Sequence, residues 1–318
     1  MNEKVKSTPK FIPKTYLPNE SFLSNNYFQS WRKSNRNKQT KSQIINSAVS
    51  LYSFSPRTIA HPNTEAEIVQ IIQKAARQKL KVRTVGSLHS AAPIPATDGV
   101  CIVLDRYKNL VEIEGSLVTV QAGMKIRELN EILAAHNLAL PTMGTIAEQT
   151  VSGAISTGPH GGSLEHQSLS GYVQALRLIR ADGSIVQLDR SQDIFNAAIV
   201  SMGLLGIVST VTLKCVRAFS LQSRVISMSI DAFLHQFDEI NQNNKYVDIR
   251  YSAIANKVQI VLINPTQEPL KENGGWYPVQ MTKIEQKVTD FINKFAQRLF
   301  EKYRLNWLQR LCLEQYDR

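Results

Sequence analysis

Two short stretches carry the residue types from which a site for an anionic ligand can be built. In "VGSLHS" (residues 85–90) a glycine and two serines surround His89. In "SGAISTGPHGGS" (residues 152–163) Gly153, Gly158, Gly161 and Gly162 alternate with Ser152, Ser156, Thr157 and His160. Small residues leave successive backbone N–H groups uncovered, and a concave run of such groups binds phosphate oxygens. Two loops of this kind in one chain suit a long ligand with a diphosphate. Either loop alone reads equally well as a plain turn, because glycine is the usual residue where the chain must bend sharply. Neither stretch reads GxGxxG opening a helix after a first strand, nor GxxxxGK[ST]. A Rossmann site and a nucleotide triphosphatase loop are therefore not supported.

The elements around these loops are legible from spacing. In "HPNTEAEIVQIIQKAARQKLKVRTV" a helix is capped by Asn63 or Thr64, with Glu67 in capping-box position and Ile68, Ile71, Ile72 and Ala75 on one face. "KVRTV" then reads as a strand, so the first loop follows a strand. "VCIVLDRYKNLVEIEGSLVTVQAG" (residues 100–123) alternates like a hairpin turning at Gly115 and Ser116, and "KIRELNEILAAHNLAL" returns to helical spacing through Ile126, Leu129, Ile132 and Leu133. After the second loop, "VQALRLIRADGSIVQL" reads as two strands joined at Asp182 and Gly183, followed by a short helix and the strand "GIVSTVTLKCV". Paired strands interleaved with helices predict an α+β fold. Beyond Ala218, "YVDIRYSAIANKVQIVLINP" offers two strands, and residues 282–312 a long basic amphipathic helix with Ile284, Val288, Phe291, Phe295, Leu299 and Trp307 among its apolar positions.

Composition bounds the function classes. The 318 residues are 43% hydrophobic and 20% charged, the balance of a globular protein with room for two domains. Cys101, Cys215 and Cys312 are far apart and form no CxxC pair, so neither a disulfide framework nor a metal site is expected, and a reducing, cytoplasmic setting fits. The formal charge of +11 is concentrated at the start, where residues 1–42 hold nine Lys or Arg against Glu3 and Glu20. This segment reads as a flexible basic arm without the apolar run of a secretion signal. No stretch reaches the roughly 18 to 20 apolar residues that span a bilayer. The arm and the basic helix (Thr282 to Leu313) suit peripheral contact with an anionic membrane surface. Glu285, Asp290, Glu301 and Glu314 interrupt the helix's positive face, which equally fits a solvated surface. Specific nucleic-acid recognition is not expected, since no module for it is visible.

The order of "HPNTEAEIVQIIQKAARQKLKVRTVGSLHS", "VTVQAGMKIRELNEILAAHNLALPTMGTIAEQTVSGAISTGPHG" and "IFNAAIVSMGLLGIVSTVTLKCV" resembles the FAD-binding domain of the vanillyl-alcohol oxidase (PCMH) type flavoproteins. Within them the chain is most similar to the aldonolactone oxidases, gulonolactone and arabinonolactone oxidase, and to alditol oxidase, over roughly residues 28 to 265. The resemblance implies a flexible arm (1–42), an FAD-binding domain (43–218, in subdomains 43–113 and 114–218) and the start of an α+β cap domain (219–318).

On this chain the resemblance implies that Thr84, Val85, Gly86, Ser87, Leu88, His89 and Ser90 cradle the FAD pyrophosphate by their backbone. Gly144, Thr145, Thr150, Gly153, Thr157, Gly158, Pro159 and His160 would line its second side, and Ile207 with Val208 would meet the cofactor from "GLLGIV". His89 matches a histidine that many members join covalently to the flavin 8α-methyl carbon, chemistry suited to a neutral imidazole nitrogen. The pattern there is Gly-x-Gly-His-Ser, and Leu88 stands in place of its second glycine. His160 would be a shape residue of its loop, while His61 and His136 read as a loop and a helix-end histidine. Gly144 matches a position where glycine accompanies reaction with O2 and alanine accompanies dehydrogenase behaviour. The activity implied is oxidation of a sugar-1,4-lactone or polyol hydroxyl by hydride transfer to FAD, with O2 as acceptor. The alternatives are a dehydrogenase with another acceptor and an FAD-binding protein without turnover, because the resemblance puts the substrate-contacting groups on cap sequence beyond this chain.

Overall fold

The computed structural model describes residues 44–48, 51–252 and 256–268. Helix α1 (Glu65–Arg77) starts at the cap that its sequence supplies. The Thr64 hydroxyl accepts from the Glu67 N–H at 3.2 Å, and the Glu67 carboxylate reaches back to the Asn63 N–H at 2.7 Å. Two N–H groups at the helix start are thereby satisfied, an arrangement that stabilises such a start by about 1 kcal/mol. Ile68, Ile72 and Ala75 form its buried face, and Lys74 and Arg77 occupy the last turn, where the helix dipole favours cations.

The helix connects strands of a small parallel sheet. Two short strands precede it, β1 (Ile45–Asn46) paired with β2 (Ser53–Phe54). Then β3 (Thr58–Ala60), β4 (Val82–Val85) and β5 (Val100–Val103) lie in the order β3-β5-β4. All four residues of β5 are buried, as befits the central strand of a parallel sheet.

A five-stranded antiparallel sheet follows, in the order β10-β9-β11-β7-β6. It contains β6 (Leu110–Glu114), β7 (Leu117–Gln121), β9 (Val173–Ile179), β10 (Ile185–Asp189) and β11 (Ile207–Lys214). The two expected hairpin turns are present, with Gly115 at φ +58° and Gly183 at φ +86°. The stretch 100–123 is nonetheless not one hairpin. Its first strand, β5, joins the parallel sheet, and only β6 and β7 pair with each other. The change of sheet lies between β5 and β6, whereas the division expected at 113/114 falls inside β6.

Helix α2 (Ile126–Ala135), the short α3 (Val151–Ile155) and α4 (Phe195–Ile199), and the two-residue pair β8 (Leu138–Ala139) with β12 (Val216–Arg217) complete this part. Ile68 and Ile72 of α1, Ile102 of β5, Leu129 of α2, Leu176 of β9 and Val211 of β11 belong to one continuous hydrophobic core, so both sheets close on the same interior. Each such side chain, fully buried, contributes about 1.5–3 kcal/mol.

The last described element group is smaller. Strands β13 (Ser220–Ser229), β14 (Tyr246–Ser252) and β15 (Lys257–Thr266) form an antiparallel sheet ordered β13-β15-β14, and helix α5 (Ile230–Gln242) packs Phe233 and Ile240 on Val247, Val258 and Ile260. The expected strands of "YVDIRYSAIANKVQIVLINP" are β14 and β15. Strand β13 and helix α5 have no clear signature in the sequence pattern. The basic arm (1–42) and the amphipathic helix (282–313) lie outside the described residues. Among the described residues no helix is long and apolar enough to cross a membrane.

Candidate functional site

Strand β4 delivers the first loop. Val85 is buried beside Ile45, Cys101 and Val103, and Leu88 packs on the same small cluster. Leu88 has φ +62°, the left-handed conformation that disfavours a side chain by about 1–2 kcal/mol. The leucine therefore adopts a backbone conformation that favours glycine, held by that packing and by the Ala48 N–H, which donates to its carbonyl at 2.9 Å. Backbone strain of this kind gathers at functional sites.

The loop is pressed against the start of the second. A Cβ on Gly86 would lie 2.1 Å from Thr150 Oγ1, so this position needs a glycine for close approach. The Ser87 hydroxyl donates to the Glu148 carbonyl. Among the described residues the N–H groups of Gly86, Ser87 and Leu88 make no backbone hydrogen bond. The buried Thr84 Oγ1, at the end of β4, has no partner either. Burial pushes the Tyr52 hydroxyl above the usual phenol range, while the Ser90 hydroxyl beside it pulls it the other way. An unpaired buried hydroxyl costs about 1–3 kcal/mol, so Thr84 marks a place at the end of β4 where a further hydrogen-bonding group fits.

The second loop is held from behind. Residues 147–150 run beside the start of α2, with Arg127 N–H donating to the Ala147 carbonyl and Ile126 N–H to the Gln149 carbonyl, both at 2.9 Å. The Glu148 carboxylate accepts from Lys125 Nζ at 2.7 Å and Arg127 Nε at 2.8 Å. Burial pushes its pKa up, but the two cations outweigh burial and hold it below the ordinary range. Thr150 caps α3, accepting from the Gly153 N–H at 3.4 Å. Past this helix Gly158 takes φ +67° with nothing near its missing side chain. The Gly161 N–H donates to Thr142 Oγ1 at 3.1 Å, and a methyl on Gly144 would lie 3.6 Å from Pro159 Cβ. Helix α3 packs on β11, the strand that begins with Ile207 and the buried Val208. The expected residues 84–90, 144–160 and 207–208 thus lie on elements that touch one another. Thr145, Gly153, Thr157 and His160 are exposed, and His89 is half-buried.

Several residues outside the expected set build this region. Strand β14 docks on the second loop, where the Val247 N–H donates to the Gly162 carbonyl at 2.7 Å and a Cβ on Gly162 would meet the Val247 carbonyl at 2.0 Å. Beside it the Tyr246 hydroxyl donates to the Pro141 carbonyl at 3.3 Å, the His166 ring stacks on Tyr246, and Lys245 pairs with Glu165. No local pattern marks these residues, since their partners lie some eighty to a hundred positions away. His61 Nδ1 lies 2.8 Å from Asp105, and His136 Nδ1 lies 2.9 Å from the Ile132 carbonyl, so both make structural contacts. Burial pushes the Cys101 thiol up to about 12 and that of Cys215 up to about 11, which keeps both protonated and unreactive.

Backbone N–H groups that make no hydrogen bond to a described backbone carbonyl, beside a loop whose Lys125 and Arg127 are engaged by Glu148, fit a diphosphate held by N–H groups. Comparison with known proteins agrees. A family model described as FAD binding domain matches residues 56–189, and one described as D-arabinono-1,4-lactone oxidase matches residues 211–317. The chain is 34% identical to an L-gulono-1,4-lactone dehydrogenase of Mycobacterium tuberculosis over 224 residues, 70% of this chain and 52% of that protein. It is 30% identical to an L-gulonolactone oxidase of Mus musculus, covering 71% and 52%, and 32% identical to a D-arabinono-1,4-lactone oxidase of Kluyveromyces lactis, covering 69% and 43%. The chain spans about half the length of these relatives. Cholesterol oxidase from Brevibacterium sterolicum shares the fold with a TM-score of 0.68 at 14% identity, over 86% of this chain and 59% of that one. Alkyldihydroxyacetonephosphate synthase shares it with a TM-score of 0.58 at 13% identity, over 77% and 52%. The chain belongs to the PCMH-type FAD-binding flavoproteins, in the group that joins the FAD-binding domain to aldonolactone oxidase sequence.

Proposed function

We propose that FAD lies between the two loops and that the protein is an oxidoreductase acting on the CH–OH group of a sugar-1,4-lactone or polyol, with O2 as electron acceptor. The observation that carries this reading is the contact of two glycine loops some sixty residues apart, Gly86 against Thr150, beside N–H groups that no backbone carbonyl among the described residues takes. FAD, when bound, supplies the two-electron acceptor for the substrate hydride. The N–H groups of Gly86 to Leu88 bind its diphosphate oxygens, and the Thr84 hydroxyl gains a partner. The second loop, from Gly144 and Thr145 through Thr150 and Gly153 to Thr157–His160, walls the other side, with Ile207 and Val208 against the cofactor. His89 offers its imidazole nitrogen for a covalent link. The printed names of the relatives support a lactone substrate.

Gly144 favours O2 as acceptor, since the missing methyl leaves space beside Pro159. The name of the Mycobacterium tuberculosis relative favours a dehydrogenase, and the two readings separate on one measurement. Under argon, a gulono-, galactono- or arabinono-lactone, or xylitol or sorbitol, should bleach the flavin absorbance, and admission of air should restore it. Bleaching without restoration would identify a dehydrogenase, and absence of bleaching by every compound would leave a flavin-binding protein without turnover. Denatured protein should keep flavin fluorescence in an electrophoresis gel, whereas complete release of flavin by acid precipitation would exclude attachment through His89.

A further inference from the structure

Between α1 and the five-stranded sheet lies a cluster of polar side chains that belongs to neither loop. Glu65, the first residue of α1, accepts from Arg177 of β9 through both oxygens, Nε to Oε1 at 2.8 Å and Nη2 to Oε2 at 3.0 Å. The Ser209 hydroxyl donates to Glu65 Oε1 at 2.6 Å, and its oxygen lies 2.9 Å from the Tyr107 hydroxyl. An ionised carboxylate only accepts, so Ser209 must give its proton to Glu65, and Tyr107 must donate to Ser209. The direction of every bond in the cluster is thereby determined. Ser209 is 0% exposed and Tyr107 4%, which makes an unpaired group here expensive.

Ser209 also holds a special place in its strand. β11 pairs Val208 with Leu178 and Thr210 with Arg177, so Ser209 is the extra residue of a β-bulge. A bulge bends its strand and re-aims the side chains beside it. The Ser209 carbonyl accepts from the Ala122 N–H at 2.9 Å, and the Ala122 carbonyl accepts the Ser152 hydroxyl of α3 at 2.8 Å. The bulge is therefore tied by its side chain to α1 and by its backbone towards the helix behind the second loop. Ile207 and Val208 immediately precede it.

We propose that Ser209 and Glu65 are positioning residues for the cofactor, acting through the bulge to set Ile207 and Val208 against FAD. The inference rests on the placement of FAD proposed above. Ser209→Ala and Glu65→Gln in the full chain are compared with Ile240→Ala, which weakens the C-terminal hydrophobic cluster instead. Flavin load and visible-region circular dichroism per bound flavin are measured for each. Both cluster variants should lose about half or more of the wild-type dichroism per flavin, because the hydrogen bonds removed are buried and charge-assisted. Ile240→Ala should keep it whatever its load. Wild-type dichroism per bound flavin in the cluster variants, even at reduced load, would mean a purely structural role and overturn the proposal. If either variant fails to fold, Tyr107→Phe, which removes only the terminal donor, decides by the same criterion. Absence of flavin from the wild-type chain would overturn the placement of FAD instead.

Discussion

At Gly86 in the first loop a neighbour requires the glycine, and at Gly158 in the second the backbone does. Gly86 has Thr150 Oγ1 where its side chain would be, whereas Gly158 faces open space and is constrained only by its φ of +67°. Leu88 adds a third case, a left-handed residue that keeps its side chain because a small hydrophobic cluster receives it. The same residue type therefore stands for close packing at Gly86 and Gly162 and for a backbone turn at Gly158. Substitutions should respond differently at each.

The largest effect is expected at Gly86→Ala, which overpacks the contact between the loops. Stability should fall by about 1–3 kcal/mol, with flavin load falling as well. Thr150→Ala should recover part of that loss, so the double mutant should be more stable than the sum of the single effects, as coupled neighbours are. Strict additivity in urea melts would show that the loops do not press on each other.

Gly158→Ala should cost about 1–2 kcal/mol through left-handed strain alone. With nothing near the position, the loss should persist when nearby loop side chains are shortened; recovery by Thr157→Ala would contradict the backbone explanation.

Glu148 ties the start of the second loop to α2. Its folded-state pKa lies below the unfolded value of 4.5, so its contribution is complete above that value and disappears as pH falls through the folded one. Glu148→Gln should lower stability by about 1 kcal/mol at neutral pH and by progressively less under acid. A loss that stays constant to low pH would remove the ion pairs from the explanation.

Gly144→Ala is the smallest structural change, since the new methyl would make an ordinary contact with Pro159. Stability should stay within about 0.5 kcal/mol. Reoxidation of reduced flavin by air, followed in stopped flow, should slow. An unchanged rate would dissociate Gly144 from access of O2.

Legibility followed the range of the interactions. Helix α1 is legible because Thr64, Glu67, Ile68, Ile72 and Ala75 follow one another at steps of no more than four residues. The hairpins at Gly115 and Gly183 were readable for the same reason. Over 100–123 the alternation reports a strand's faces and not its partner, and β5 pairs with β3 and β4 instead of β6. Strand β13 is not legible because most of its residues are exposed and its pattern is weak. At the candidate site the glycine loops and His89 stand out by composition. Glu148, Tyr246 and His166 do not, because an acid or an aromatic is an ordinary residue until its distant partner is known.

By itself the sequence determined the local elements, the positions of the two loops and, through the order of its motifs, the FAD-binding family. Only the tertiary structure decided that Gly86 meets Thr150, that Leu88 takes the backbone of a glycine, that Ser209 forms a bulge between α1 and the five-stranded sheet, and that β14 seats on Gly162. Caps and hydrophobic periods are set by neighbours along the chain. Close approach and hydrogen-bond partnership depend on which distant segments the shared core brings together.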